Sequence, residues 1–294
     1  MSTNPFFTVI MPTYNRSAIM KEAIESVLKQ TFSDFEIIVI DDHSTDDTEK
    51  VITDLNDERI IYKKNTRQKG GGGARNEGIF SAKGSWIAFL DDDDVWLEEK
   101  LEKFYERIAQ ADAETGLVYS AFTYYDFKQR KELKLYSHGK EGWIRDSLLY
   151  TNWIGTYSAV AIESKLLKEL DGLDESFSSY QDLELYVRVS EKAKVAFINQ
   201  SLTLYRVDNT DNISKSFEKK LNGNLNFYTK YKEDIHKNKK NLHRVKSQLF
   251  LNALGAKNWS LAYKSIPWTL AGIVLDPKNI LIVSRTLVQR LLKK

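Results

Sequence analysis

Through the first hundred residues, short apolar runs alternate with stretches of helical period. Phe7-Thr8-Val9-Ile10-Met11 and Glu36-Ile37-Ile38-Val39-Ile40 are nearly continuous apolar segments, as expected of strands buried on both faces. Between them Ala18, Ile19, Ala23, Ile24, Val27 and Leu28 recur at helical spacing, with Ser17 as the expected N-cap. A second helix follows Asp42-His43-Ser44-Thr45, marked by Val51, Ile52 and Leu55, and then a short strand at Ile60-Ile61-Tyr62. A third helix, about Ala74 to Ala82, leads into the strand Trp86-Ile87-Ala88-Phe89-Leu90. This alternation predicts an α/β fold with a mostly parallel sheet, which binds ligands at the carboxyl ends of its strands. Chemistry is therefore expected just after Met11, Ile40 and Leu90.

The pattern then changes. Leu117 to Ala121, Tyr124 to Lys128 and Glu132 to Tyr136 read as strands joined by short polar turns, with antiparallel pairing. Helical patterns return around Ile144 to Tyr150, Ser164 to Leu170 and Asp182 to Glu191, with a strand near Val195 to Ile198. From about Ser214 onward the chain reads as helical and richer in lysine, which sets a boundary there.

Composition narrows the class. With 42% hydrophobic and 29% charged residues in 294, the chain is a packed globular protein. Lys+Arg 43 against Asp+Glu 41 leaves a net charge of +2, so no overall field draws it onto nucleic acid, and none is expected as a partner. The absence of cysteine removes disulfides, thiolate metal sites and cysteine nucleophiles. The N-terminal MSTNPFFTVIMPTYNR lacks the layout of a secretory signal, and Ile266 to Leu275, interrupted by Pro267, is too short to span a bilayer. A cytoplasmic location is expected.

The strongest chemical feature is Asp91-Asp92-Asp93-Asp94, directly after an apolar strand and before Val95-Trp96-Leu97. Crowded carboxylates repel one another, and a divalent cation relieves that; all-oxygen ligands suit Mg²⁺ or Mn²⁺. The competing reading is a solvated acidic loop that caps the next helix. Asp41-Asp42-His43-Ser44-Thr45-Asp46-Asp47 follows the neighbouring strand: Ser44 or Asp46 suits helix capping, whereas Asp42 is placed to turn a carboxylate into the cleft. Met11-Pro12-Thr13-Tyr14-Asn15-Arg16 ends the first strand with an aromatic platform, amide groups and a cation. Gly70-Gly71-Gly72-Gly73 fits neither GxxxxGK(S/T) nor GxGxxG and reads as a flexible lead-in to the helix carrying Arg75 and Asn76, with Arg75 placed to meet a phosphate. The four histidines have no zinc-type spacing.

TVIMPTYNR, SVLKQTFSDFEIIVIDDHSTDDT, GGGARNEGI, WIAFLDDDDVWLEEKL and SYQDLELYVRVSE, in this order and spacing, resemble a family 2 glycosyltransferase with the GT-A fold, over about residues 6–210. The resemblance implies a GT-A, Rossmann-like mixed sheet flanked by helices. It implies a catalytic domain over residues 1–213, with a nucleotide-binding half of about 1–115 and an acceptor half of about 116–213, and a helical extension over 214–294. The implied activity is transfer of a sugar from a nucleotide diphosphate sugar, often a UDP-sugar, to an acceptor hydroxyl with inversion, usually with Mg²⁺ or Mn²⁺. Position by position, Pro12, Thr13 and Tyr14 resemble the nucleoside cradle, Asp42 the base-contacting aspartate and Arg75 the arginine of the ARN motif. Asp91 and Asp93 match the ends of the DxD motif, with Asp93 as metal ligand and Asp92 facing the ribose. Asp182 resembles the catalytic base, with Glu184 in reserve. The chain departs from the family pattern at Gln181, where many members carry Glu.

A sugar nucleotidyltransferase and a membrane-apposed nucleotide-sugar-binding scaffold are the alternatives; against the first, Pro12-Thr13-Tyr14 stands where a glycine-rich phosphate loop belongs. The tail combines Trp259, Tyr263, Trp268, Leu270, Ile273, Val274 and Leu281 with Lys264, Lys278, Arg285, Arg290, Lys293 and Lys294. Such helices suit the inner face of a membrane and a lipid-linked or other glycan acceptor; they equally suit packing on the catalytic domain or on a second copy of the chain. The segment Tyr205 to Ser216 is placed to act as a lid over the donor.

Overall fold

The computed structural model describes residues 4–208 and 216–275. Lys278 and the tail residues beyond it lie outside the described residues, as does most of the expected lid. The chain divides into two compact units, the first within residues 1–145, 153–175 and 185–210, the second within 146–152, 176–184 and 211–294.

The first unit is built on a nine-stranded sheet. Four strands, β1 (Phe7–Thr13), β2 (Phe35–Asp41), β3 (Ile60–Lys64) and β4 (Trp86–Phe89), run parallel in the order β3-β2-β1-β4. The sheet continues through β8 (Val160–Glu163), antiparallel to β4, to the long strands β6 (Thr115–Asp126) and β9 (Lys194–Arg206), which pair in parallel. The short β5 (Val95–Trp96) closes the path against β9, and β7 (Lys131–Tyr136) lies antiparallel beside β6. The order reverses at β1, with β2 on one side and β4 on the other. That crevice at the strand carboxyl ends is where an open α/β sheet holds its ligand.

Burial on both faces explains the continuous apolar runs. Phe7, Val9, Met11, Phe35, Ile37 and Val39 share one core with Met20, Ala23, Ile24 and Val27 of α1 (Ser17–Leu28). Ile38 and Ile40 face the other way, onto Ala74 of α3 (Gly71–Ser81). Each such valine, isoleucine, methionine or phenylalanine side chain contributes roughly 1.5–3 kcal/mol on burial.

Several local expectations are corrected. Ser17 lies inside α1; the cap position is Arg16, and the Ser17 amide donates to Asp46 (3.0 Å). The cap position of α2 (Thr48–Asp54) is Asp47, while Asp46 accepts from Thr48. Gly71–Gly73 form the first turn of α3 with Gly70 at its cap position, not a flexible lead-in, and Gly73 must be glycine because a Cβ there would fall 1.9 Å from the Gln68 carbonyl oxygen. Leu117–Ala121 and Tyr124–Asp126 belong to the single strand β6, which runs on through buried Phe122 and Thr123, while Phe127 and Lys128 lie in the turn that follows. The helix expected from Asp182 begins one residue earlier, as α7 (Gln181–Lys192).

Besides the first turn of α7, the second unit holds α8 (Phe217–Lys230), α9 (Lys232–His236), α10 (Lys239–Gly255) and α11 (Trp259–Leu275). Leu221, Leu249, Ala253 and Ala262 form its core. No helix among the described residues is long and apolar enough to cross a membrane.

Candidate active site

The acidic turn begins where β4 stops. The Leu90 amide still donates to the Ile10 carbonyl (3.0 Å), and the chain then reverses, closed by Asp94 N–H to the Asp91 carbonyl (3.1 Å). Each aspartate takes a different partner. Asp91 pairs with Arg75, which is buried, donates to the Gly71 carbonyl (3.0 Å) and lies over the Tyr157 ring (4.3 Å). Asp92 accepts from the Thr13 hydroxyl (2.8 Å) and from Arg16 Nη1 (2.9 Å). The same nitrogen reaches Asp93 Oδ2 (3.1 Å). Asp94 is buried and accepts from the Arg206 amide (2.9 Å), while Arg206 Nε donates to the Asp93 carbonyl (2.7 Å).

Beneath the turn lies Ser158, in the 3-10 turn Tyr157–Ala159. Its hydroxyl accepts the Asp91 amide (3.0 Å), and its carbonyl accepts the Trp96 indole N–H (2.8 Å) and the Thr203 hydroxyl (3.0 Å). The turn is thus held from three sides: the end of β1 and the start of α1 through Thr13 and Arg16, α3 through Arg75, and the 3-10 turn with β9 through Ser158 and Arg206.

Burial dominates the electrostatics. It pushes the Asp92 carboxyl up to about 6; Arg16 and the Thr13 hydroxyl oppose the rise, and the charge on Asp93 adds to it. Asp94 is driven well above the usual carboxylate range by burial, then by Asp93 and Asp91. Burial by itself would lower the Arg16 guanidinium, but Asp92 and Asp93 outweigh it and hold its pKa up.

On the β2 side, Asp42 is buried, and its two oxygens take Asn65 Nδ2 (2.7 Å) and the Gly70 amide (2.8 Å). It therefore fastens the loop before α3. Gly70 permits this with a φ of 126°. Tyr14 is 45% exposed, with the Lys69 ammonium 4.4 Å from its ring centroid. Pro12 is opposite Ile40 in the ladder. Asp182 belongs to the second unit, where its Oδ2 accepts from Asn152 Nδ2 (3.1 Å). Glu184 is fully buried there and holds Lys230 (2.8 Å) and the Tyr231 hydroxyl (3.1 Å), an internal anchor rather than a reserve base.

Thr13, Arg16, Asp92 and Asp93 thus form one cluster, adjoined by Arg75 with Asp91. Sequence reasoning left Arg16 as an unspecified cation and Arg206 as one residue of the expected lid, and missed Ser158 and Asn65; the strand end at Arg206 emerges only in the structure, where β9 runs past Ile198.

Two carboxylates aimed at one positive nitrogen suit a divalent cation with oxygen ligands, because Mg²⁺ commonly takes one or two carboxylates plus substrate phosphates. No group of three or more acidic, histidine or cysteine side chains suited to a metal occurs among the described residues.

Comparison with known proteins gives concordant results. The putative colanic acid biosynthesis glycosyl transferase WcaA of Escherichia coli is 31% identical over 261 residues, 85% of this chain and 88% of that protein. An Escherichia coli UDP-Glc:alpha-D-GlcNAc-diphosphoundecaprenol beta-1,3-glucosyltransferase, WfgD, is 44% identical over 95 residues, 32% of this chain and 38% of its own. Among solved structures, S. aureus TarS 1-349 in complex with UDP-GlcNAc superposes with a TM-score of 0.63 at 20% identity, covering 83% of this chain and 72% of that one, a likeness of fold. The family model described as Glycosyl transferase family 2 matches residues 8–170, more than half of the chain and the whole stretch from β1 through the acidic turn to α6 (Ser164–Glu169). The chain belongs to glycosyl transferase family 2 and has the GT-A fold.

Proposed function

We propose that this glycosyltransferase moves a sugar from a UDP-sugar to a hydroxyl of a lipid-linked glycan, in one displacement with inversion, during bacterial surface polysaccharide assembly. The observation that carries this reading is the convergence of Asp92 and Asp93 on one cationic point at the crevice beside β1. The relatives support its finer parts: WfgD is named for UDP-Glc and a diphosphoundecaprenol acceptor, and TarS was solved with UDP-GlcNAc.

Asp93 would hold a Mg²⁺ or Mn²⁺ at the point where Asp92 converges with it, while Asp91, at the other end of the motif, stays paired with Arg75 on the nucleotide side. Such an ion, when bound, stabilises negative charge on the departing diphosphate. Asp92 faces the ribose, while Pro12, Thr13, Tyr14 and Asp42 with its loop cradle the nucleoside. Arg75, through its pair with Asp91, fixes the turn and adds positive charge on the nucleotide side. Asp182 takes the acceptor proton as the hydroxyl attacks, a contribution of roughly 10²–10⁴-fold for general bases. Its bond from Asn152 orients the carboxylate, and Gln181 leaves it without an adjacent like charge. Attack on the face opposite the leaving group inverts the anomeric centre.

On the second unit, Trp259 and Tyr263 are 59% and 71% exposed one turn apart on α11, which supports peripheral contact with the inner leaflet.

A screen of nucleotide sugars with metal and lipid-linked acceptor tests the reading, with release of nucleoside diphosphate expected; release of pyrophosphate would indicate nucleotidyl transfer instead. Asp182→Asn should keep UDP binding within about twofold and lose about 10²-fold or more in kcat. Near wild-type turnover in that variant would remove Asp182 from the role.

A further inference from the structure

We propose that Arg16 is the resident counter-cation of the Asp92 and Asp93 carboxylates and is exchanged for the divalent cation when the donor loads. The inference rests on the metal and donor reading above, and goes beyond it by giving the free enzyme a defined charge state that opposes metal binding.

Four observations carry it. First, one guanidinium nitrogen lies 2.9 Å from Asp92 and 3.1 Å from Asp93, at the point toward which both carboxylates converge. A second cation at that point would meet like charge at close range. Second, the neighbouring arginines are committed elsewhere. Arg75 is held by Asp91, the Gly71 carbonyl and the Tyr157 ring, and the Arg206 guanidinium by Glu22, the Asp93 carbonyl and the Phe127 ring (3.5 Å).

Third, Asp92 does not depend on Arg16 for its orientation, since the Thr13 hydroxyl grips its other oxygen. Departure of the guanidinium would leave the carboxylate aimed as before. Fourth, the root of Arg16 is fixed while its head is not enclosed. Asn15 adopts a left-handed φ of 51°, its amide donates to Ser44 Oγ (2.9 Å) and its side-chain oxygen accepts the Thr45 amide (2.7 Å). The Arg16 side chain is 23% exposed and makes its side-chain hydrogen bonds to these two aspartates. A long side chain on a rigid root can swing aside without refolding the loop, and its charge then lies beside the anionic diphosphate that accompanies the metal.

The test uses the whole protein and Mn²⁺, with free Mn²⁺ counted by electron paramagnetic resonance. Without nucleotide, Arg16→Gln should bind Mn²⁺ about tenfold more tightly than wild type, and Arg16→Lys, which keeps the charge, should stay near wild type. With UDP present the advantage of Arg16→Gln should shrink, because wild-type Arg16 has then already moved. Wild type that binds Mn²⁺ with UDP while Arg16→Gln shows no gain overturns the exchange and leaves the metal reading intact. Absence of bound Mn²⁺ in either protein with UDP overturns both. Should Arg16→Gln fail to fold, nitrogen-15 spectra of arginine side chains in wild type read the same event. Mg²⁺ with UDP should move the Arg16 guanidinium resonances away from their metal-free positions, and resonances that stay where the two carboxylates hold them overturn the proposal.

Discussion

Asp92 gives the sharpest test of the electrostatics at the acidic turn. Its carboxyl is held at about 6 against an ordinary value of 3.8, so the folded protein binds this proton more tightly than the unfolded chain does. Stability from this group is fully present below about pH 4 and is lost as pH rises through about 6. A difference of roughly two units corresponds to about 3 kcal/mol at 1.36 kcal/mol each. Asp92 is buried, so solvent screening removes little of that figure. Asp92→Asn retains an oxygen for the Thr13 hydroxyl and cannot ionise. The variant should therefore be at a disadvantage or equal near pH 4, and should gain about 2–3 kcal/mol on wild type by about pH 7. Urea unfolding followed by tryptophan fluorescence, in chelator so that no cation holds the carboxylate, measures both proteins across that range. Asp94, also raised, is present in both and largely cancels in the difference. A gap between the two proteins that does not change with pH would show that burial is not what sets the Asp92 proton affinity.

Two further substitutions probe the scaffold. Gly73→Ala drives a methyl group to 1.9 Å from the Gln68 carbonyl, so the loop that presents Gly70 to Asp42 must shift. We expect about 1–3 kcal/mol of destabilisation with a marked loss of UDP affinity, whereas Gly78→Ala, which meets only the Ile10 side chain, should leave UDP affinity near wild type; calorimetric titration separates the two. Ser158→Ala orphans the Asp91 amide beneath the acidic turn but keeps the carbonyl that binds Trp96 and Thr203. It should cost about 1–3 kcal/mol in urea and weaken UDP binding, and full retention of both would show that the hydroxyl does not hold the turn.

The sequence by itself determined the parts of the molecule that depend on local period and polarity. β1, β2 and β4 are legible because strands buried on both faces must be apolar throughout, and the acidic run at the end of β4 stands out against them. The helical extension is legible for the same reason. Where local composition and tertiary packing disagree, packing decides. Four glycines look flexible, yet one caps α3 and three start it, and the close approach of the Gln68 carbonyl admits no side chain at Gly73. Two expected strands are one, β6, because continuous pairing with β9, with register shifts around Ala121, carries the strand through Phe122 and Thr123. Glu184 and Asp182 look equivalent as acids two residues apart, and only packing shows the first locked to Lys230 and Tyr231. The partners of the acidic turn were beyond any local pattern. Arg16 meets Asp92 across 76 residues of sequence, and Arg206 meets the Asp93 carbonyl across 113. Local sequence sets which segments form strands and which side chains carry charge; only the order of strands in the sheet sets which charges become neighbours.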